Sequence, residues 1–513
     1  MEKEFELRLK PHEALSQDCL KRKIASACRL KVQDLAYFKI LRRSIDSRGE
    51  PRYCLRILAS TEKKKEIIVK AKKYHDVSKS ERVIIVGAGP CGLFAALKLL
   101  ECGLKPVIVE RGKRIEDRKK DIALIARNEE LNENSNWCFG EGGAGTFSDG
   151  KLYTRSNKRG NIGEVLETFV EFGADEDILI DAHAHIGTDK LSRIIKNIRN
   201  KITECEGEYH FNSKMVDLLV KDNSVYGVKL ANGSTLEGKA VILACGHSAR
   251  DIYKLFAEKS WLIESKPFAL GVRVEHAQEF INRTQYHTDK YSKLLPAATY
   301  SLTHNIGDRG VFSFCMCPGG MVIPSSTERD CLVVNGMSSS LRNSPYANSG
   351  IVVSVSEKDV PEYLHYGALS LMRFQEKCEQ KMYFDRQMAP AQRISDFVDK
   401  KASTSLCNSS YPAGLRSADM SDLLPKFISN SLRQALVAFD KKMKGFVSKD
   451  ALMIGLESRT SSPVRIPRDK DNLQHLQLKN LYPCGEGAGY AGGITSSAMD
   501  GINAAQKIAC SEE

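Results

Sequence analysis

Val83-Ile84-Ile85-Val86-Gly87-Ala88-Gly89-Pro90-Cys91-Gly92, carried on to Val107-Ile108-Val109-Glu110-Arg111, decides the fold. It reads as a strand, a glycine turn, a helix, a second strand and a terminal acid. Gly87 permits the tight turn, Gly89 lets backbone approach a pyrophosphate, and Gly92 lets helix pack on strand. The helix opening at Pro90 aims free N–H groups at phosphate oxygens. Glu110 lies 18 residues after Gly92, where a carboxylate accepts hydrogen bonds from ribose hydroxyls. An adenine dinucleotide is the expected ligand; the alternative is the tight βα turn of any doubly wound sheet.

The bare G-x-G-x-x-G string is weak, because it occurs three times, at Gly87, Gly140 and Gly487. Only the first follows an apolar β-branched run, opens an apolar helix and leads to a strand ending in an acid. The other two are expected to be glycine loops of the same site. The second lies in Gly140-Glu-Gly-Gly143-Ala144-Gly145 and runs on to Ser148, Asp149 and Lys151, which could close over a cofactor.

A chain of 513 residues has room for two or three domains. Apolar content of 42% and charged content of 27% read as globular. No run approaches a membrane-spanning length, and the acidic Met1-Glu-Lys-Glu start has no signal-peptide core. The 15 cysteines are scattered, without a disulfide framework, so a reducing cytoplasm is expected. Of the net charge of +12, residues 1–80 carry +10. That asymmetry marks a separate basic unit, either a solvated lysine-rich face or a surface for an acidic partner or RNA.

Alternation predicts strands over 2–9, 35–45 and 51–60, with a helix over 12–27: a small α+β domain over residues 1–75. A short strand is expected at Ile67–Val69 in the charged linker. Helices are expected over 113–130, 161–172, 188–205, 422–443 and 496–509, and a strand meander from Tyr209 to Val241 with a hairpin at Asn232-Gly233. Residues 266–375 are rich in strand-like runs. The expected division is 1–75, then 80–265 as the first part of a dinucleotide-binding domain, 266–445 as an inserted mostly-β substrate domain, and 446–513 as the C-terminal part of the binding domain.

Two further segments select the cofactor. Ala240-Val-Ile-Leu-Ala-Cys245-Gly246 matches the second glycine strand of flavoproteins, with Cys245 at the usual threonine. Leu481-Tyr-Pro-Cys-Gly485-Glu486-Gly-Ala-Gly-Tyr-Ala-Gly-Gly493 matches their late Gly-Asp/Glu motif. The order resembles FAD-dependent oxidoreductases of the glutathione-reductase structural type with a single Rossmann fingerprint. With Cys315-Met-Cys-Pro-Gly-Gly320, Asn335-Gly-Met-Ser338 and Glu457-Ser-Arg-Thr-Ser-Ser-Pro-Val-Arg465, essentially the whole chain resembles the uncharacterised "NAD(FAD)-utilising dehydrogenase" family. The resemblance implies an α/β fold: a three-layer Rossmann-like FAD domain with the inserted domain, preceded by the small α+β domain.

It also implies a site. Gly87, Gly89 and Gly92 face the pyrophosphate and Glu110 binds the adenosine ribose, with Pro90, Cys91, Arg111 and the glycine-loop residues Gly143, Ala144 and Gly145 as further cofactor-binding residues. Val216 contacts adenine through its backbone, and Gly246 passes the cofactor. Glu486, beside Gly485 in the same cofactor-binding motif, hydrogen-bonds the ribityl chain or the pyrophosphate edge, while Gly493 and Ile494 present N–H groups to the flavin pyrimidine edge. A helix starting there stabilises negative charge on reduced flavin. NAD(P)H is expected only as a transient electron donor, since no second dinucleotide unit is evident. No metal is expected.

The expected function is an FAD-dependent oxidoreductase, a dehydrogenase or reductase passing hydride through the flavin, with an unknown small-molecule substrate. A disulfide reductase is disfavoured, because no close cysteine pair follows the first strand. Cys315 and Cys317 form the only close pair, and C-x-C is not by itself a redox or zinc spacing; they are expected to be buried or to line the substrate pocket. His276 and Arg273 are the candidate catalytic residues. Arg459 and Arg465 are candidate substrate contacts for an anionic group, with Arg342 a further candidate. The alternatives are an RNA-modifying or RNA-binding flavoprotein contacting RNA through Arg42, Arg43, Arg48 and Arg52, and a non-catalytic flavin-binding protein.

Overall fold

The computed structural model describes residues 1–64, 69–154 and 160–510. Its centre is a five-stranded, all-parallel sheet in the order Leu481–Pro483, Ala240–Leu243, Arg82–Val86, Lys105–Val109, Glu208–His210. The three inner strands are apolar on both faces because helices and loops cover both sides; Val83, Ile84, Ile85, Val107 and Ile108 have no exposed surface. On one face the helices Pro90–Glu101, Thr188–Glu204 and Ile494–Ala509 share a core with the sheet. On the other face lies the antiparallel meander Met215–Lys221, Ser224–Leu230, Thr235–Glu237. The meander is shorter than expected: Glu208–His210 belongs to the parallel sheet. Its first turn is Asp222-Asn223, both residues having positive φ, and Asn232-Gly233 makes the second.

A seven-stranded mixed sheet holds Phe268–Ala277 near its middle. Strand alternation decides what each residue of that strand meets. Val272, Val274 and His276 face the helix Lys426–Lys442, whose Ile428, Leu432, Leu436 and Phe439 share their core. Arg273 and Glu275 face the other way, and Arg273 meets Asn335 in the ribbon Gly320–Pro324 with Val334–Ser338. The strand Leu452–Glu457 pairs with Phe268–Ala277, so the mixed sheet extends past the expected division at 445/446. The expected strand-rich stretch also contains two helices, Gln278–Tyr286 and Ser370–Lys381.

The N-terminal unit is a three-stranded antiparallel sheet, Glu2–Leu9, Arg52–Ser60, Tyr37–Asp46, packed under helices Pro11–Leu15 and Gln17–Cys28. The single helix expected over 12–27 breaks at Ser16, whose side chain caps the second helix by accepting the Cys19 N–H. Arg43 fastens the unit to the rest of the chain. Its backbone exchanges hydrogen bonds with Ile180 and Ala182, and its guanidinium pairs with Asp181 at 2.6 Å and Asp177 at 2.8 Å. The expected strand at Ile67–Val69 falls largely outside the described residues. No described helix is long and apolar enough to cross a membrane.

Candidate functional site

One cleft gathers the glycine motifs that lie far apart in sequence. Its walls include Gly87, Gly89, Pro90, Cys91, Glu110, Arg111, Gly143, Ala144, Gly145, Gly246, Glu486, Gly493 and Ile494. Two long helices, Pro90–Glu101 and Ile494–Ala509, pack against each other and open at their N-termini on this cleft, from Gly89 and Gly493. First-turn N–H groups of a helix have no intrahelical acceptor and carry partial positive charge. Two such ends side by side favour an anion with more than one negative group.

The turn is built as the fingerprint requires. Gly87 has φ of 109°, and a Cβ there would collide with Ala244 O. Gly92 does not line the cleft; a Cβ on it would strike Gly87 O, so its part is the close packing of helix on turn. The glycine loop is strapped to this turn by the Gly142 N–H, which donates to Ala88 O at 2.8 Å. Arg118 holds the loop from beneath. Fully buried, it donates to the carbonyls of Asn136, Trp137, Gly140 and Glu141. The sequence reading missed Arg118, which is one cation among many in a charged helix and has no local signal.

Glu110 is 5% exposed and accepts three backbone N–H groups: Ala88 at 2.9 Å, Gly112 at 2.8 Å and Gly140 at 3.0 Å. A carboxylate offers about four acceptor positions, leaving one for a ribose hydroxyl. Beside it Arg111 lies over the Phe139 ring at 4.2 Å and pairs with Asp251 at 3.0 Å. Lys214 and Met215 line this end of the cleft. Val216, expected at adenine, is 39% exposed and lies outside it. The alternation of its strand turns it away.

At the far end the late motif is held by Asp500, which accepts the Gly485 N–H at 2.7 Å and pairs with Arg468 at 2.6 Å. Gly485 itself packs on the Cys91 side chain instead of lining the cleft. Glu486 does line it; burial raises its carboxyl to about 7. His247, 3.9 Å away, is held neutral, its pKa lowered to about 3 by burial and then Arg459. At Gly246, Gly492 and Gly493 an added Cβ would meet nothing within 4 Å among the described residues, so backbone forms those stretches of wall. This cradle of bare backbone, two helix N-termini and a ribose-side carboxylate fits FAD.

Lys151, Phe314, Cys315, Asn335, Arg459 and Thr460 complete the wall at this end. Of the substrate candidates, Arg459 lies here. It donates to Glu379 at 2.8 and 2.9 Å, and its Nη1 is buried without a partner among the described residues. Arg465 is exposed beside Tyr490 in a short ribbon, outside the cleft. Cys315 lines the cleft and Cys317 is buried behind it. Arg342 is committed to Asp149.

The two catalytic candidates do not meet. Three residues apart on one strand, they face opposite ways. Arg273 sits behind the wall in a buried ion pair with Glu457 at 2.8 Å, donating also to Asn348, Asn335 and Cys315 O. It is a support for Asn335 and Cys315. His276 is on the far face, stacked on Phe280 and packed on Phe446, with Nε2 donating to Phe446 O at 2.9 Å. It lines no part of the cleft.

Residues 80–125 match a family model described as "FAD binding domain", residues 267–460 one described as "FAD-dependent protein, C-terminal domain-like", and residues 1–57 a domain of unknown function. A Clostridium beijerinckii protein described as an "Uncharacterized protein" is 38% identical over 510 residues, covering 95% of each chain. Among solved structures, the flavin-dependent brominase Bmp2 is 14% identical, covering 84% of this chain and 79% of that one, with a TM-score of 0.40. CtdE in complex with FAD is 11% identical, covering 83% and 84%, with a TM-score of 0.32. A geranylgeranyl bacteriochlorophyll reductase-like protein from Thermoplasma acidophilum is 14% identical, covering 84% and 79%, with a TM-score of 0.34.

Proposed function

This chain belongs to the family of FAD-binding proteins represented by the Clostridium beijerinckii relative, and from that premise we propose that it is an FAD-dependent oxidoreductase passing hydride between the flavin and a small molecule. The observation that carries the reading is the convergence of Gly89 and Gly493, the N-terminal ends of two packed helices, on the cleft edged by Glu110 and Glu486. When bound, FAD supplies the chemistry of hydride transfer.

The chain's own residues bind, orient and shield. Gly87, Gly89 and the Gly143–Gly145 loop take the pyrophosphate against bare N–H groups. Glu110 takes the ribose hydroxyl through its remaining acceptor position. The Ile494 helix end stabilises negative charge at the flavin pyrimidine edge. Glu486, with its carboxyl raised to about 7, can be protonated at neutral pH and then donates a hydrogen bond. Arg459 Nη1, buried and unpartnered on the wall, suits a carboxylate or phosphate on the substrate. NAD(P)H would serve as a transient reductant.

An RNA-docking role gains little support from the N-terminal unit. Arg43 is committed to Asp177 and Asp181, Arg48 pairs with Asp46 at 2.7 Å, and Arg52 pairs with Glu50 at 3.5 Å. Of the four, Arg42 keeps an exposed side chain and pairs with no carboxylate among the described residues, so charge alone would have to carry the docking.

The test is the visible absorption spectrum of the purified chain, followed by anaerobic addition of NADH and of NADPH. A two-banded flavin spectrum bleached by either nicotinamide supports the reductase reading. Bound flavin unmoved by both favours substrate-driven reduction or a non-catalytic role. Absence of flavin after reconstitution with FAD overturns the reading.

A further inference from the structure

Cys315 and Cys317 lie on the strand Arg309–Cys317, where its pairing with Tyr346–Val355 slips between Phe314 and Cys317. In a regular strand the two Cα atoms would stand about 6.6 Å apart, two rises of about 3.3 Å. That is the outer edge of the range a disulfide spans, roughly 4.4–6.8 Å. Here the register slips, and the Cys317 thiol turns back on the first cysteine, its Sγ donating to Cys315 O at 3.4 Å.

Cys315 carries φ of 45°, a left-handed conformation that a non-glycine residue holds only where its surroundings impose it. The surroundings are cationic. Lys151 donates to the carbonyl of Met316, between the two cysteines. Arg273 donates to Cys315 O and reaches Cys317 Sγ at 3.9 Å. Cys315 opens on the cleft while Cys317 has no exposed surface. An accessible sulfur in front and a buried one behind is the arrangement of an attacking and a resolving thiol. The Cys317 hydrogen bond first, then Lys151 and Arg273, hold the Cys315 thiol below the ordinary thiol range. Cys315 and Glu486 line the same cleft.

We propose that Cys315 and Cys317 are a redox-active dithiol that exchanges two electrons with FAD, Cys315 facing the cofactor and Cys317 closing the disulfide from behind. The proposal rests on the FAD reading above. In the reducing direction the Sγ–Sγ bond breaks as the sulfurs accept two electrons and one proton from reduced FAD and a second proton from solvent. In the other direction the two thiols give two electrons and one proton to FAD, release the other proton to solvent, and the Sγ–Sγ bond forms.

The experiment is an anaerobic dithionite titration of the full chain, reconstituted with FAD and oxidised beforehand with diamide. Cys315→Ser, Cys317→Ser and Cys317→Ala are compared with wild type and with Cys102→Ser, a surface control. Flavin content reports folding of each variant. Wild type and Cys102→Ser should take up four electrons per flavin and the three dithiol variants two, a twofold difference. In parallel, iodoacetamide is added to denatured samples before tryptic digestion. The peptide Gly310–Arg329 contains both cysteines and no other. It should be unlabelled and two hydrogen masses lighter in oxidised wild type, and doubly labelled after reduction. Bound flavin with two-electron uptake in every variant and a peptide always doubly labelled overturns the dithiol and leaves the FAD reading standing. No bound flavin in any variant overturns both.

Discussion

Glu110 and Ala88 are joined across the first glycine turn: the Glu110 carboxylate accepts the Ala88 N–H at 2.9 Å, and its other oxygen takes Gly112 and Gly140. The acid that follows the second strand therefore shapes the turn after the first, besides facing the ribose. Glu110→Gln keeps one accepting oxygen and turns an amide donor toward the remaining N–H groups. Two effects should appear together. The apo protein loses about 3 kcal/mol, the scale of one or two charge-assisted hydrogen bonds left unmade in a buried place. FAD affinity falls by more than about tenfold. Urea unfolding of the apo protein and flavin fluorescence titration measure the two; unchanged apo stability would contradict this role.

Gly492 separates cofactor binding from folding. Its φ is not in the left-handed region and an added Cβ meets nothing within 4 Å. Its N–H donates to Ser496 Oγ at 3.1 Å, a bond that a side chain would not disturb. Gly492→Val should leave apo stability within about 0.5 kcal/mol and place two methyl groups in the space expected for flavin. FAD affinity is expected to fall at least about tenfold. A variant that binds FAD like wild type would remove this wall from the cofactor site.

The strand-turn-helix-strand unit was legible because every part of it is local. Val83–Val86, the Gly87 turn and Glu110 announce themselves within one short window, and the structure has them in that arrangement. The late motif was legible by its order in the chain. Other features depend on long-range pairing that no local pattern reports, such as the placing of Leu452–Glu457 beside Phe268–Ala277. The error over Arg273 and His276 was avoidable, since an odd spacing on a strand already divides the faces. Val216 stands one position from Met215, which does line the cleft, and a contact through its backbone does not depend on the face its side chain takes. Arg118 was out of reach: only the folded loop collects four carbonyls around its guanidinium.

Glu486 gives cofactor binding a pH dependence. Burial raises its carboxyl to about 7. Below that value it is protonated and can donate to a phosphate or ribityl oxygen; above it, a buried carboxylate confronts an anionic ligand. FAD binding then takes up a proton, and affinity declines as pH rises through about 7, by up to about tenfold per pH unit above it. Glu486→Gln keeps the neutral donor at every pH. Fluorescence titration of FAD from about pH 6 to about pH 8 should show a falling affinity in wild type and a flat one in the variant. Parallel profiles would exclude Glu486 as the titrating group.

His276, with no part in the cleft, is a stability element. It is 3% exposed between Phe280 and Phe446, and its Nδ1 has no partner. Burial therefore lowers its pKa from 6.5 to about 4. Between those values the unfolded chain binds a proton that the folded chain refuses. Stability is thus complete above about pH 6.5 and is lost as pH falls toward 4, by about 3 kcal/mol in all. His247, also held neutral by burial, adds a parallel loss below pH 6.5. His276→Gln retains a donor for Phe446 O and removes one titration. It should be less stable than wild type at neutral pH, for want of the ring contacts, yet lose less on acidification. Urea unfolding followed from about pH 7 to about pH 4.5 gives both slopes. Equal slopes would show that His276 is protonated as readily in the folded chain as in the unfolded one, against the burial its neighbours impose.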